Sequence, residues 1–264
     1  MQSVRSNSSH ELPIVSMVLL AFLGLACQAC GGPQRTGSEV GDVVEPAKMF
    51  ADPSLLAAAR AIESGDLSKL DALLRNGTSV NGRGNDGATL LMFAVGTRKK
   101  DAVRELLRVG ADPNQMADTG LSPVMLAAGS DDPDLLPILL HEGANPNLRN
   151  DRGEPVTFTA AHLKRWRNLY MLLDHGADIN AIDGAGDTLL ISLAFSDHYE
   201  PIVKLLERGA DFRKAGDGGW TLAHSIQNSR LRPDSSEGQW LQRAKTFLVD
   251  HGIAFPVPPP KPQH

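Results

Sequence analysis

Cysteine is almost missing from this chain of 264 residues: Cys27 and Cys30 are the only two, and none follows them. The bulk of the chain is therefore expected to fold by packing alone, without disulfides. The two form Cys-x-x-Cys, but a thioredoxin-like redox role needs a βαβ setting that the sequence lacks. Positive charge is also in short supply. With 26 Lys and Arg against 31 Asp and Glu the net charge is −5, which excludes general nucleic-acid affinity. Removing residues 1–26 would take away Arg5 and Glu11 together and leave that value unchanged. The apolar run 14–26 has 13 residues, too few to span a bilayer comfortably, and it fits the core of a secretory signal peptide. No Gly-rich phosphate loop, His-Glu-x-x-His helix or Gly-x-Ser-x-Gly elbow occurs. No catalytic residue, cofactor, metal site or small-molecule substrate is expected, and the chain reads as a non-enzyme.

What is there is a period. Gly77, Gly110, Gly143, Gly176 and Gly209 stand 33 residues apart, and a second ladder, Gly87, Gly120, Gly153, Gly186 and Gly219, keeps the same spacing. Each first-ladder glycine follows a Leu-Leu pair: Leu73/Leu74, Leu106/Leu107, Leu139/Leu140, Leu172/Leu173 and Leu205/Leu206. A helix must end there on a left-handed residue, which glycine adopts cheaply. The pairs read as buried seams between neighbouring units. Within 84–116, Leu90, Leu91, Phe93, Ala94 and Val95 form one apolar stretch and Val103, Leu106 and Leu107 another, both at helical spacing. A period of this length marks a stacked helical repeat.

The chain resembles the ankyrin-repeat family, whose unit is a β-turn finger followed by two antiparallel helices. The family's Gly-Ala-Asp-x-Asn segment stands as Gly110-Ala111-Asp112-Pro113-Asn114, Gly143-Ala144-Asn145-Pro146-Asn147 and Gly176-Ala177-Asp178-Ile179-Asn180. Its Thr-Pro-Leu-His helix start is altered to Thr89-Leu90-Leu91-Met92, Ser122-Pro123-Val124-Met125, Thr188-Leu189-Leu190-Ile191 and Thr221-Leu222-Ala223-His224, in which Thr or Ser can still cap the helix. The resemblance implies an all-α repeat fold, an ankyrin-type solenoid of about six helix-pair units with β-turn fingers.

The register divides the chain into a signal peptide at 1–26, a flexible tether at 27–50, a repeat domain at 51–255 and a Pro-rich tail at 256–264. The units are a capping repeat at 51–83, with helices over 55–63 and 67–75, then 84–116, 117–149, 150–182, 183–215 and 216–255. The last carries a polar insertion at 230–238, read as a surface loop that delays its second helix to about 241–249. The tail reads as extended, either a solvated end or a ligand for a proline-binding partner. Cys27 after Gly24-Leu25-Ala26 resembles a bacterial lipoprotein signal, which implies lipidation at Cys27 and an outer-membrane anchor facing the periplasm; simple cleavage after Ala26 and an uncleaved anchor are the other outcomes.

Successive helix-joining loops alternate in sign: Arg98-Lys99-Lys100, Asp131-Asp132-Pro133-Asp134, Lys164-Arg165-Trp166-Arg167 and Asp197-His198-Tyr199-Glu200. Adjacent clusters would attract, for about 0 to 1 kcal/mol per exposed pair. His141, His175 and His251 lie just before turn glycines and are expected to bond the last helix carbonyls. Asp118, Asp151, Asp183 and Asp217 recur at finger tips, where Asp accepts backbone bonds within a turn.

In ankyrin-like proteins the fingertips and the ends of the first helices bind partners. That resemblance assigns protein binding to Met116, Asp118, Thr119, Leu121, Arg149, Arg152, Glu154, His162, Ile182, Asp183, Asp187, Phe195, Asp217 and Trp220. Phe195 and Trp220 fit either exposed anchors or packing onto the next unit. The expected role is an exported, lipid-anchored protein that binds another protein of the envelope, by resemblance an immunity protein against a secreted toxin such as a lipase, or a stabiliser of a periplasmic enzyme such as catalase. The alternatives are a structural envelope component, or an enzyme with its site in the 230–238 insertion.

Overall fold

The computed structural model describes residues 45–260. Cys27, Cys30, the signal segment and most of the expected tether lie outside them. The chain forms two compact units, divided in sequence between Ala144 and Asn145. In the first, α1 (Pro46–Met49) precedes the helix pairs α2/α3 (Pro53–Ser64, Leu67–Arg75) and α4/α5 (Leu90–Gly96, Lys100–Arg108), then α6 (Pro123–Gly129) and α7 (Leu135–His141). The second holds α8/α9 (Val156–His162, Trp166–Asp174), α10/α11 (Leu189–Phe195, Tyr199–Glu207) and α12/α13 (Leu222–Asn228, Ser236–Asp250). Among the described residues no strand forms, only isolated antiparallel bridges at two finger bases, Arg149 to Pro155 and Ile182 to Thr188.

The two helices of a repeat differ because their surroundings do. In the α4/α5 pair the first is short and buried on every side, with every residue from Leu90 to Val95 covered. The second carries one apolar stripe. In α5, Val103, Leu106 and Leu107 are buried while Arg104 and Arg108 face outward. Leu106, Leu139, Leu172 and Leu205 are fully buried, each contributing about 1.5 to 3 kcal/mol over an exposed leucine. In the capping repeat Leu73 and Leu74 are only half-buried.

The starts of the first helices obey their caps. Thr89 Oγ1 accepts from Met92 N–H at 3.1 Å, Ser122 Oγ from Met125 N–H at 3.4 Å and Thr188 Oγ1 from Ile191 N–H at 3.3 Å. Thr221 and His224 bond reciprocally in a capping box. At the other ends the first-ladder glycines have φ of 87° to 99° and the second-ladder glycines 75° to 91°, as a left-handed turn requires.

The asparagine that ends each Gly-Ala-Asp-x-Asn segment joins its repeat to the next. Asn147 Nδ2 donates to Gly176 O at 3.0 Å while its Oδ1 accepts from Asp178 N–H at 2.8 Å; Asn81 makes the same two bonds to Gly110 O and Asp112 N–H. The Asp of the segment closes its own turn, Asp178 Oδ1 accepting from Asn180 N–H at 2.8 Å.

Four expectations need correction. The tether does not extend to residue 50, since Met49 and Phe50 are buried and the Phe50 ring meets Phe93 edge-on at 6.0 Å. The insertion is not all loop: α13 begins at Ser236, capped by Ser235 Oγ, and Glu237 accepts from Tyr199 N–H at 2.9 Å. The tail is not merely solvated. Val257 N–H donates to Gln227 Oε1 at 2.6 Å, and His224 Nε2 meets Pro258 O at 2.9 Å, which strap the chain to α12. His175 and His251 do cap their helices through Nδ1, to Met171 O and Phe247 O, but His141 turns to the Glu142 carboxylate at 3.0 Å.

The charged loops behave differently in the two units. In the first, Arg98 meets Asp131 at 2.5 Å and Lys100 meets Asp134 at 2.7 Å and Asp132 at 3.2 Å; the bonds to Asp134 and Asp132 hold the Lys100 ammonium above its ordinary pKa. In the second, the rings of Trp166 and His198 meet at 5.5 Å, and burial, then Lys164, lowers the pKa of His198.

Candidate functional site

Most of the sequence-assigned residues fall in the second unit, on the fingers before α8, α10 and α12 and on the helices themselves. The finger before α8 is shaped by Asn150, whose Oδ1 accepts from Arg152 N–H at 3.0 Å and Glu154 N–H at 2.9 Å. Asp183 repeats the arrangement one unit on, accepting from Ala185 N–H and Asp187 N–H, both at 2.9 Å. These Asx turns close the fingers through bonds within each turn.

Several assigned residues are committed to the stack. Arg149 donates to Gly153 O and to Ile182 O, each at 2.6 Å, and so ties its finger to the following one. In the first unit Arg83 does likewise, donating to Met116 O at 2.8 Å and pairing with Asp118 at 2.6 Å. Thr119 and Leu121 are half-buried beside that finger turn. Trp220 is half-buried, its ring 5.5 Å from that of His224 in the same repeat. Phe195 differs: at the C-terminal end of α10 it is 63% exposed, with Ile182 at 36% at the base of the finger that precedes α10. Arg152 and Asp217 are exposed.

Electrostatics set two further features. Burial raises the pKa of Asp187, and the neighbouring carboxylates Asp183 and Asp217 push it the same way. Glu154 and His162 instead stabilise each other's charge, with Glu154 Oε1 3.1 Å from His162 Nδ1. That hydrogen bond lowers the Glu154 pKa and raises that of His162, in each case against burial. The other ring nitrogen, His162 Nε2, lies 3.1 Å from Ser192 Oγ on α10. Sequence reading assigned both Glu154, on a finger, and His162, at a helix end, to protein binding, but missed Ser192. The period holds a clue, for Ser192 is 30 residues beyond His162, one helical turn short of the 33-residue repeat. Among the described residues no group of three His, Cys, Asp or Glu side chains is placed to hold a metal ion, and no helix is long and apolar enough to cross a membrane.

A family model of ankyrin repeats in three copies matches residues 55–150 and 124–216, together more than half of the chain. The chain belongs to the ankyrin-repeat family. Ankyrin repeats are also what it resembles in three dimensions: the crystal structure of the ankyrin repeat domain of Bcl-3, described as a unique member of the IkappaB protein family, is similar with a TM-score of 0.65. That alignment has 24% identity and covers 78% of this chain and 88% of the other, so it speaks to the fold alone. No curated protein matches this chain. As an ankyrin-repeat protein it has a scaffold suited to protein–protein interaction, and the clamps made by Asn81, Asn114 and Asn147 belong to that scaffold.

Proposed function

We propose that this ankyrin-repeat protein is exported, lipid-anchored at Cys27 and facing the periplasm, where it captures another protein on the finger and first-helix surface of residues 145–260. One observation carries the binding surface: Phe195 stands 63% exposed on α10, whose other apolar residues, Leu189, Leu190, Ile191, Leu193 and Ala194, are buried. Leaving a phenylalanine in water forgoes about 1.5 to 3 kcal/mol of burial, and a partner that covers it recovers that energy. Arg152 and Asp217 are exposed on the fingers of the same unit and offer charge beside apolar contacts, as interface surroundings usually do. The mechanism is occlusion or stabilisation of the partner by a preformed surface, as an immunity protein covers a toxin or a stabiliser holds an enzyme.

Affinity purification from an envelope fraction supplies the partner, and calorimetry with it supplies the test. Phe195→Ala is expected to weaken capture by about 2 kcal/mol, the scale of a hot spot, with an unchanged melting temperature. Full affinity in Phe195→Ala would remove this surface as the binding site. Support for the anchor comes from the apolar run 14–26 followed by Cys27. Cys27→Ser should abolish palmitate labelling and release the protein from membranes, while Cys30→Ser should do neither; labelling that survives Cys27→Ser rejects the anchor.

A further inference from the structure

Ser192, His162 and Glu154 form a chain of hydrogen bonds through opposite nitrogens of one imidazole, at 3.1 Å to Ser192 Oγ and 3.1 Å to Glu154 Oε1. An ionised carboxylate only accepts, so in the neutral ring the proton sits on Nδ1 and the lone pair of Nε2 faces the serine hydroxyl. Nucleophile, base and orienting carboxylate thus stand in the order that activates a hydroxyl, here in residues drawn from two successive repeats. We propose that Ser192 is an activated nucleophile that accepts acyl groups from small apolar esters, with His162 as its general base and Glu154 as a positioning residue.

The surroundings fit that substrate class. Phe195 follows Ser192 by three residues on α10, so the two share one helix face, and its exposed ring offers an apolar acyl or aryl group a platform beside Oγ. The relay is held on every side. Asn150 Nδ2 donates to Glu154 Oε2 at 3.3 Å, the Phe158 ring meets His162 edge-on at 5.9 Å, and Thr188 caps the helix that carries Ser192. Ser192 and His162 remain accessible.

In the reaction, Oγ attacks the ester carbonyl as its proton passes to Nε2. The tetrahedral adduct then expels the alcohol, which takes that proton back, and leaves an acyl-serine. Water, deprotonated by the same nitrogen, hydrolyses the acyl-serine to the carboxylic acid and regenerates Ser192. Ser192 N–H is bonded to Thr188 O at 3.0 Å and cannot stabilise the oxyanion. A missing donor of this kind costs about 10²- to 10³-fold in rate, in acylation and in hydrolysis alike, so slow acylation by reactive probes is what is to be measured.

His162 must be neutral to act. Glu154 and, more weakly, Asp183 keep it protonated above its ordinary range, Arg152 acts on the Glu154 carboxylate, and the reaction is expected to accelerate as pH rises through the His162 pKa. The proposal does not depend on partner capture.

The test treats the purified full-length protein with a fluorophosphonate probe and with p-nitrophenyl acetate, maps the adducts by mass spectrometry and records a thermal melt of each variant. Ser192 should label with a single pH inflection. His162→Gln should slow labelling by about 100-fold or more, Ser196→Ala should leave it unchanged, and Glu154→Gln should move the inflection to lower pH, because it removes what raises the imidazole. Labelling of Ser192 no faster than that of other surface serines, or unaltered in folded His162→Gln, overturns the proposal. Should His162→Gln unfold, a wild-type labelling rate without that inflection overturns it equally.

Discussion

Gly176 and Gly184 are separated by a single finger turn, yet each is a glycine for a different reason. Gly176 has φ of 88° and open space where a Cβ would stand, so Gly176→Ala is expected to cost about 1 to 2 kcal/mol through backbone strain alone. At Gly184 a Cβ would collide with the carbonyl of Arg152, a backbone group that cannot step aside, and Gly184→Ala should cost more. Denaturant melts of the two variants measure the difference. The Glu154–His162 pair gives a pH test. The Glu154 pKa is lowered from 4.5, so its share of stability is present above pH 4.5 and lost as pH falls through its folded value. The His162 pKa is raised from 6.5, so its share is complete below pH 6.5 and lost as pH rises through its folded value. The stability gap between wild type and Glu154→Gln should therefore be widest between pH 4.5 and 6.5, at no more than about 1 kcal/mol for a half-exposed pair, and should narrow on both sides. A gap that does not vary with pH would mean the pair is not ionised in the folded protein.

At the scale of elements, the helices are held by their seams. Leu139 on α7 and Leu172 on α9 are fully buried, and replacing either with Ala should cost about 2 to 5 kcal/mol because the cavity cannot collapse between stacked helices. Asp131→Ala breaks the pair with Arg98, whose side chains are both more than half exposed, and should cost under about 1 kcal/mol. Urea melts decide between them, and equal costs would contradict the assigned burial. A charge swap of Arg152 with Glu154 is unsuited as a probe of finger binding, since it would also break the bond to His162. Arg152→Glu alone leaves that bond in place.

For the molecule as a whole, the ends of the described chain matter because an end repeat lacks a neighbour on one side. At the N-terminal end α1 and Phe50 cover the capping repeat, and Phe50→Ala should cost about 3 to 5 kcal/mol, although sequence alone puts this residue in a tether. At the C-terminal end the strap over α12 rests on exposed hydrogen bonds from Gln227 and His224. Deleting 256–264 should cost only about 1 kcal/mol. Differential scanning calorimetry of both variants checks the contrast; a larger loss from the tail than from Phe50 would reverse the assignment of caps.

The sequence by itself determined the period, the two helices per repeat, the left-handed glycines, the Thr and Ser caps and the burial of Leu106, Leu139, Leu172 and Leu205. Each depends on the conformation of a residue or on spacing within one turn, and such preferences are written locally. Only the tertiary structure decided that Arg149 bonds Ile182 O, that Phe195 stays in water while Trp220 turns to His224, and that Ser192 meets His162. These outcomes depend on how far one repeat is displaced and rotated from the next, since that step sets which side chains some 30 residues apart come within a hydrogen bond of each other. The 33-residue period fixes the count between repeats but not that geometry.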